Sequence, residues 1–206
     1  MLDPNDISKV QLYKNPSDAA QYGMQAASGA IRFFTGESVP IGTHLHYSTE
    51  FSTSKAARTV PVADPSIFTR FGGRDYGEEI DWQEEILQRA GSQMHHLKWQ
   101  GNLAKTDYQF NATYRNVEGI LRNTGFERLN FSAMLAQKAL KDKLLLRASW
   151  RTSVQDQQLG FPFAFQYAVP HNPTAPVFDE NATEYDGYFA EIIFDYYNPV
   201  ALIEQN

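Results

Sequence analysis

The chain has 206 residues, a formal net charge of −6 and no cysteine. The acidic balance gives little electrostatic support to a nucleic-acid partner, and the missing cysteines exclude a disulfide scaffold, a thiolate metal site and a cysteine nucleophile. Aromatic residues make up 14% of the chain although the mean hydropathy is only −0.46. This combination is typical of a chain whose apolar residues alternate with polar ones.

The first distinctive stretch is DAAQYGMQAASGAIRFFT, residues 18–35, in which small residues and two glycines precede a short apolar run. A dinucleotide-binding loop would need the spacing G-x-G-x-x-G, and a P-loop would need a Lys-Ser or Lys-Thr pair. Neither is present. The stretch therefore predicts a tight turn followed by a strand, with no nucleotide site.

From Thr43 onward, apolar and polar residues alternate with a period of two, which is typical of β-strands. The alternation predicts five strands at about 43–52, 95–103, 107–116, 127–136 and 143–154. A soluble antiparallel sheet with one wet face and a transmembrane β-barrel both fit this pattern. Aromatic residues near strand ends (Tyr47, Trp99, Tyr108, Tyr114, Trp150) and connections of alternating length favour the barrel.

Two long connections flank the last four strands. The segment IDWQEEILQRAG, residues 80–91, predicts a single short helix, with carboxylates in its first turn and Gly91 as its end. After residue 156 the periodicity is lost in a stretch rich in Pro, Asn and aromatic residues, which predicts a long surface loop.

No group of residues makes a case for catalysis. The acidic cluster (Asp75, Glu78, Glu79, Asp81, Glu84, Glu85) has the composition of a solvated loop and helix start, although paired carboxylates also occur in glycosidases and calcium sites. His44, His46, His95 and His96 lack a third ligand at matching spacing, so we expect no metal site. We also expect no enzyme activity and no cofactor.

Several motifs, in order along the chain, resemble one family. Residues 2–35 (LDPNDISKVQLYKNPSDAAQYGMQAASGAIRFFT) resemble the end of the plug domain of the SusC/RagA family of TonB-linked outer-membrane transporters. Asp81-Trp82-Gln83-Glu84-Glu85-Ile86, VEGILRNTGFERLNF (117–131), Asn172-Pro173-Thr174-Ala175-Pro176 and Tyr197-Asn198-Pro199-Val200-Ala201-Leu202 are similar to further motifs of that family. The basic residues that usually follow the plug strand are replaced by IRFFTGE.

The resemblance implies a mainly β fold: the end of a plug, followed by about five antiparallel strands of an incomplete 22-stranded transmembrane barrel. It implies a plug part at residues 1–36 and a barrel part at 37–206, with long extracellular-type loops at 53–94 and 156–206. Tyr22, Gly23, Ala27 and Gly29 carry the plug signature, where both glycines are expected to serve positive φ angles and close backbone packing.

The resemblance further implies TonB-dependent uptake of an oligosaccharide or peptide across the outer membrane of a Gram-negative, Bacteroidota-like bacterium. The expected partners are a SusD-like surface lipoprotein, outer-membrane lipid and TonB, which would act through a TonB box that the chain lacks. Arg115, Arg128, Arg147 and Arg151 are candidate lumen-lining residues on the polar strand faces.

Two expectations accompany this interpretation. Because five strands cannot close such a barrel, and because no signal peptide is visible in MLDPNDISKV, we expect the chain to be a fragment of a longer reading frame. The alternative function is a soluble or surface-attached β-sheet protein that binds carbohydrate through Phe161, Phe163, Phe165 and Tyr167.

Overall fold

The computed structural model of the chain describes residues 7–26, 28–35, 39, 41–179, 186–190 and 197–205. The strands are β1 (Ile7–Tyr13), β2 (Ala30–Thr35), β3 (Gly42–Ser54), β4 (Ala90–Leu103), β5 (Thr106–Glu118), β6 (Gly125–Ala139) and β7 (Leu144–Gln158). The short helices are α1 (Pro16–Ala19), α2 (Pro65–Arg70), α3 (Trp82–Ile86), α4 (Ala164–Ala168) and α5 (Pro199–Glu204), and two 3-10 turns follow α1. None of the helices in this described part is long and apolar enough to cross a membrane.

The chain forms two compact units, each built from three segments. The first unit comprises residues 1–50, 94–115 and 128–155, and the second comprises residues 51–93, 116–127 and 156–206.

The two-stranded sheet in the first unit is an antiparallel pair. Val10 pairs with Phe33 and Leu12 pairs with Ile31, so one face of the pair is apolar. The chain enters β2 through Gly29, whose φ is +112°. A Cβ atom at this position would lie 2.9 Å from the carbonyl oxygen of Tyr13, so both the backbone angle and the space require glycine.

The five-stranded sheet has the order β3-β4-β5-β6-β7, so every strand pairs with its neighbour in sequence. This confirms the predicted set of five antiparallel strands. The strands are 13 to 15 residues long, which exceeds the roughly 9–11 residues of a tilted membrane-spanning strand. Tight turns join β4 to β5 and β6 to β7, with positive φ angles at Ala104 and at Leu140, Lys141 and Asp142.

The second unit contains the main hydrophobic core. Trp82 and Ile86 of α3 pack with Ala164, Ala168, Ala175, Tyr188, Val200 and Ile203. The indole nitrogen of Trp82 donates a 2.8 Å hydrogen bond to the carbonyl oxygen of Asn172. The segment after residue 156, predicted as a long surface loop, thus contains helices α4 and α5 and supplies most of this core.

The predicted helix at residues 80–91 is wrong in extent. Helix α3 ends at Ile86, and Leu87 is extended because it forms a β-bridge with Leu121. The amide of Gln88 then donates a 2.8 Å hydrogen bond to the carbonyl oxygen of Ile120, and Gly91 lies within β4. Helix α2 in the same connection has no counterpart in the sequence prediction, which placed a single helix there.

Candidate functional site

The most informative surface is formed by the two faces of the five-stranded sheet within the first unit. One face, here called the apolar face, carries large hydrophobic side chains that are exposed. Trp150 is 63% exposed and Leu103 is 72% exposed. Its exposed members include Leu45, Tyr47, Leu97, Trp99, Leu103, Leu129, Leu135, Leu144, Leu146, Trp150 and Val154.

Aromatic rings on the apolar face contact one another across neighbouring strands. The ring of Trp99 lies 5.2 Å from that of Tyr108 and 5.3 Å from that of Phe110. Phe131 and Trp150 form an edge-to-face pair at 5.4 Å. These contacts stabilise the sheet, because aromatic pairs add stability beyond their buried area.

His95 belongs to this aromatic surface. Its ring stacks on Tyr47 at 6.2 Å and on Tyr114 at 6.3 Å. Its Nδ1 atom lies 2.7 Å from the hydroxyl of Tyr47 and 3.1 Å from that of Thr49. His95 is thus a partner of tyrosines, and its sequence neighbour His96 points to the opposite face.

The opposite face, here called the polar face, is lined by a network of hydrogen-bonded side chains. The Nδ1 atom of His96 and the hydroxyl of Thr113 are 2.8 Å apart. Asn111 donates to Ser132 over 3.0 Å, and Ser153 donates to Asn130 over 2.7 Å. The network therefore crosses β4, β5, β6 and β7.

The middle of the polar face is buried, which reverses the usual arrangement of a water-soluble sheet. Asn111 is only 6% exposed, and His96, Gln109 and Thr113 are buried as well. A soluble sheet buries apolar side chains and presents polar ones to water. A sheet that does the opposite is suited to an apolar solvent on its outer side.

The four candidate arginines lie on the strands, as their positions predict. Arg115 is exposed on β5, Arg128 is half-buried on β6, and Arg147 and Arg151 are exposed on β7. The Nε atom of Arg128 donates a 2.9 Å hydrogen bond to Oε1 of Gln155. Arg128 on β6 thus contacts the neighbouring strand β7 through Gln155.

The plug-signature residues lie before β2. Gly23 has a φ of +79° and Gly29 one of +112°, which confirms the predicted positive angles. The prediction of close backbone packing is confirmed at Gly29 but wrong at Gly23, because a Cβ atom at position 23 would have no atom within 4 Å. Tyr22 packs its ring 5.5 Å from that of Tyr13, and its hydroxyl accepts a 3.5 Å hydrogen bond from Arg32. Ala27 lies outside the described residues.

The acidic cluster of the first long connection serves backbone capping where its contacts are defined. The carboxylate of Asp81 accepts hydrogen bonds from the amides of Gln83 and Glu84 at the start of α3. Asp75 accepts one from Gly77 over 2.9 Å. Within the described residues, no group of three or more His, Asp and Glu side chains lies close enough to hold a metal ion.

The second unit also contains a groove of about 240 Å³ between the outer ends of β5, β6 and β7. Three carboxylates line it, but two of them are already bound within the protein. Glu118 accepts a 2.8 Å hydrogen bond from the amide of Gly91, and Glu127 accepts one from Asn116 over 3.0 Å. The groove therefore has no uncommitted triad of carboxylates.

The aromatic residues of the alternative function do not form one exposed platform. Phe161 and Phe165 pack against the core of the second unit, and Tyr167 forms an edge-to-face pair with Tyr197. Only Phe163 of the four is exposed, at 57%. Stacking of a sugar on all four rings is incompatible with this arrangement.

Sequence reasoning missed one buried ionisable group. His171 is buried in the second unit, with its ring centroid 4.2 Å from that of Trp82. Burial lowers the pKa of His171 from 6.5 to about 4. The only signal in the sequence is its place in the His-Asn-Pro segment, directly before the motif at Asn172.

Comparison with known proteins gives relatives of one kind. No family model matches the chain. TonB-dependent receptor SusC of Bacteroides thetaiotaomicron is 24% identical over 199 residues, which cover 91% of the chain and 20% of the relative. TonB-dependent receptor P26 of Formosa agariphila is 24% identical over 223 residues, which cover 100% of the chain and 22% of the relative.

A solved structure shares the fold. The structure of the RagAB peptide importer in its closed-closed state superposes with a TM-score of 0.69 at 14% sequence identity. The match covers 95% of the chain and 27% of the importer chain. The chain thus spans about a fifth of the length of the two receptors and about a quarter of the importer chain.

The chain is therefore similar in sequence to TonB-dependent receptors over most of its length, and similar in fold to a chain of the RagAB importer. The similarity covers nine tenths of the chain for SusC and the whole chain for P26. The relatives are receptors and an importer and not enzymes, in agreement with the expectation from the sequence.

Proposed function

We propose that the chain is part of a TonB-dependent transporter of the outer membrane that takes up oligosaccharides or peptides. The observation that carries this proposal is the reversed polarity of the sheet, with Leu103 and Trp150 exposed and Asn111 buried. The relatives named as TonB-dependent receptors support the transport class.

In this proposal the apolar face contacts lipid and the polar face lines the lumen. The exposed leucines would lie in the hydrocarbon layer of the bilayer, so that their apolar surface is not in contact with water. The tyrosines and tryptophans would lie near the two membrane–water interfaces. The edge strands β3 and β7 each have one neighbour in the sheet. Further strands of a receptor would satisfy their free hydrogen-bonding sides, as a spanning sheet requires.

We assign residues 1–36 to the end of the plug and residues 37–206 to the start of the barrel. The plug would gate the lumen, with energy supplied through TonB, and a SusD-like lipoprotein would help capture the nutrient. The similarity to SusC supports the lipoprotein partner, and the similarity in fold to a peptide importer supports peptides as one substrate class.

Arg115, Arg128, Arg147 and Arg151 are proposed lumen-lining residues. Guanidinium groups bind carboxylates through paired hydrogen bonds, so these side chains suit contacts with plug carboxylates or with acidic groups of a substrate. Arg128 contacts Gln155, and Arg147 and Arg151 are exposed on the neighbouring strand β7.

Two single-cysteine variants test which face of the sheet is in contact with water. The chain has no cysteine of its own, so Leu146→Cys and Arg147→Cys each provide one thiol on adjacent residues of β7. The protein is expressed from its own gene, and membranes are treated with a charged, water-soluble maleimide. We expect labelling at position 147 and protection at position 146. Equal labelling of both would refute the membrane assignment.

The substrate class is tested by growth. A strain that lacks the gene is grown on single oligosaccharides or peptides as the only carbon or nitrogen source. Loss of growth on one class, restored by the gene, identifies the substrate. Growth unchanged on every nutrient of both classes would contradict the proposed uptake. Gln variants at positions 147 and 151 that leave uptake unchanged would limit these arginines to lining the lumen.

A further inference from the structure

The two short turns of the sheet, at the end where β4 meets β5 and β6 meets β7, form one basic surface. We call it the basic turn pair, and it consists of Lys105 in the first turn with Lys138, Lys141 and Lys143 around the second. The Nζ atom of Lys105 lies 3.1 Å from Oδ1 of Asp142. The amide of Lys138 also donates a 3.0 Å hydrogen bond to the carbonyl oxygen of Lys105, so the two turns lie side by side.

The charge of this surface has the opposite sign to that of the chain. Residues 103–107 and 137–144 contain four lysines and two carboxylates, Asp107 and Asp142, in a chain with a net charge of −6. Asp142 binds Lys105, and Asp107 accepts a hydrogen bond from Asn102 on β4. Both carboxylates are therefore engaged, while Lys138, Lys141 and Lys143 are exposed.

Exposed leucines adjoin the lysines. Leu103 and Leu140 are each 72% exposed, and Leu144 and Leu146 continue the series along β7. A step from exposed leucine to exposed lysine within a few residues is suited to the boundary between hydrocarbon and headgroups. There the lysine stem lies along the apolar surface and its ammonium group reaches the polar layer.

We propose that the basic turn pair binds the headgroup phosphates of anionic phospholipids at one surface of the membrane. This inference rests on the proposed function, because it requires the apolar face to lie in a bilayer. Continuity of the lysines with Leu103 and Leu140 favours a lipid over a soluble acidic partner. Each lysine close to an anionic membrane surface adds electrostatic attraction, which salt weakens.

The test measures which lipid contacts the protein. The protein, expressed from its own gene and purified, is reconstituted into vesicles of dibrominated phosphatidylcholine or dibrominated phosphatidylglycerol. Bromine quenches tryptophans in contact with the acyl chains, and Trp99 and Trp150 are exposed on the apolar face. In mixed vesicles we expect phosphatidylglycerol to be preferred about threefold or more at low salt. The preference should fall toward unity in 1 M salt.

Two variants make the test specific. The triple variant Lys138→Gln, Lys141→Gln, Lys143→Gln should lose the preference but keep quenching by phosphatidylcholine, which shows that it is inserted. The control variant Lys55→Gln, Arg58→Gln removes two exposed cations of the long connection and should keep the preference.

The outcomes separate the two proposals. Absence of quenching by either lipid would refute the membrane assignment itself. Equal quenching by the two lipids in mixed vesicles with the parent protein would refute lipid binding by the basic turn pair. So would an unchanged preference in the triple variant. Either result would leave the membrane assignment intact. Preference for a soluble acidic peptide over both lipids would likewise refute lipid binding by the basic turn pair.

Discussion

The burial of His171 predicts that acid destabilises the second unit. Only 6% of the side chain is exposed, and its ring lies edge-to-face on Trp82. Burial lowers its pKa from 6.5 to about 4, because the surroundings disfavour the charged imidazolium. Below pH 6.5 the unfolded chain therefore binds a proton that the folded unit does not, and the free energy of unfolding falls as the pH decreases.

The size of the effect follows from the two pKa values. Stability contributed by neutral, buried His171 is complete above pH 6.5 and is lost progressively as the pH falls to about 4. At about 1.4 kcal/mol per pH unit, this difference amounts to about 3 kcal/mol. That is a substantial part of the roughly 5–15 kcal/mol that stabilises an ordinary domain.

The assay follows unfolding of the second unit through Trp82 alone. Trp99→Phe and Trp150→Phe remove the other two tryptophans, and guanidinium unfolding is recorded in detergent micelles from pH 8 to pH 3.5. A companion variant, His171→Gln, retains every carboxylate of the chain but cannot titrate at this position. The difference in unfolding free energy between the two proteins therefore isolates His171.

We expect this difference to change by about 3 kcal/mol between pH 7 and pH 4, in the direction that favours the variant at low pH. A difference that stays constant over this range would refute the reasoning. So would an NMR titration of the His171 ring with a midpoint near 6.5, since the imidazole would then be hydrated in the folded protein.

Three substitutions test local contacts. Gly29→Ala brings a Cβ atom within 2.9 Å of the carbonyl oxygen of Tyr13 and should destabilise the β1–β2 pair by about 1–3 kcal/mol. Unchanged hydrogen exchange in β1 would argue against this. Gln83→Leu removes two 2.8 Å hydrogen bonds to the backbone of Val60, at a cost of about 1–3 kcal/mol. Proteases should then cut residues 53–64 faster. Equal cleavage rates would show that the two hydrogen bonds between Gln83 and Val60 do not hold this segment. Asn198→Ala removes the cap of α5 and should cost about 1–2 kcal/mol in thermal unfolding, so an unaltered midpoint would contradict it.

The strands were predictable because the alternation of apolar and polar residues that indicates them is a local pattern in the sequence. On β4, Leu97 and Trp99 alternate with Lys98 over a few residues, and a period of two has one structural meaning. The first residues of the strand, Ala90-Gly91-Ser92-Gln93-Met94, lack this alternation, so the predicted start at residue 95 was late. The two faces of the sheet followed from the same pattern, since a strand places alternate side chains on opposite sides.

The second unit was not predictable because its contacts are distant in sequence. Trp82 binds the backbone of Asn172, 90 residues away, and the Thr174 hydroxyl donates to the carbonyl oxygen of Arg74. The early end of α3 has the same cause, because pairing of Leu87 with Leu121 outweighs the local helical pattern. Neither the periodicity nor the composition of either segment contains this information.

The left-handed backbone at the two tight turns has a consequence for assembly. Ala104, Leu140, Lys141 and Asp142 all have φ between +51° and +67°, which few residues other than glycine adopt readily. Turns of this kind fix the register in which the two strands they join are paired. A single inserted residue would slip the register by one and turn Asn111 and its neighbours toward the apolar face. The length of the two turns therefore determines which side chains lie on each face. An insertion or deletion in either turn should be more harmful than most substitutions of a side chain.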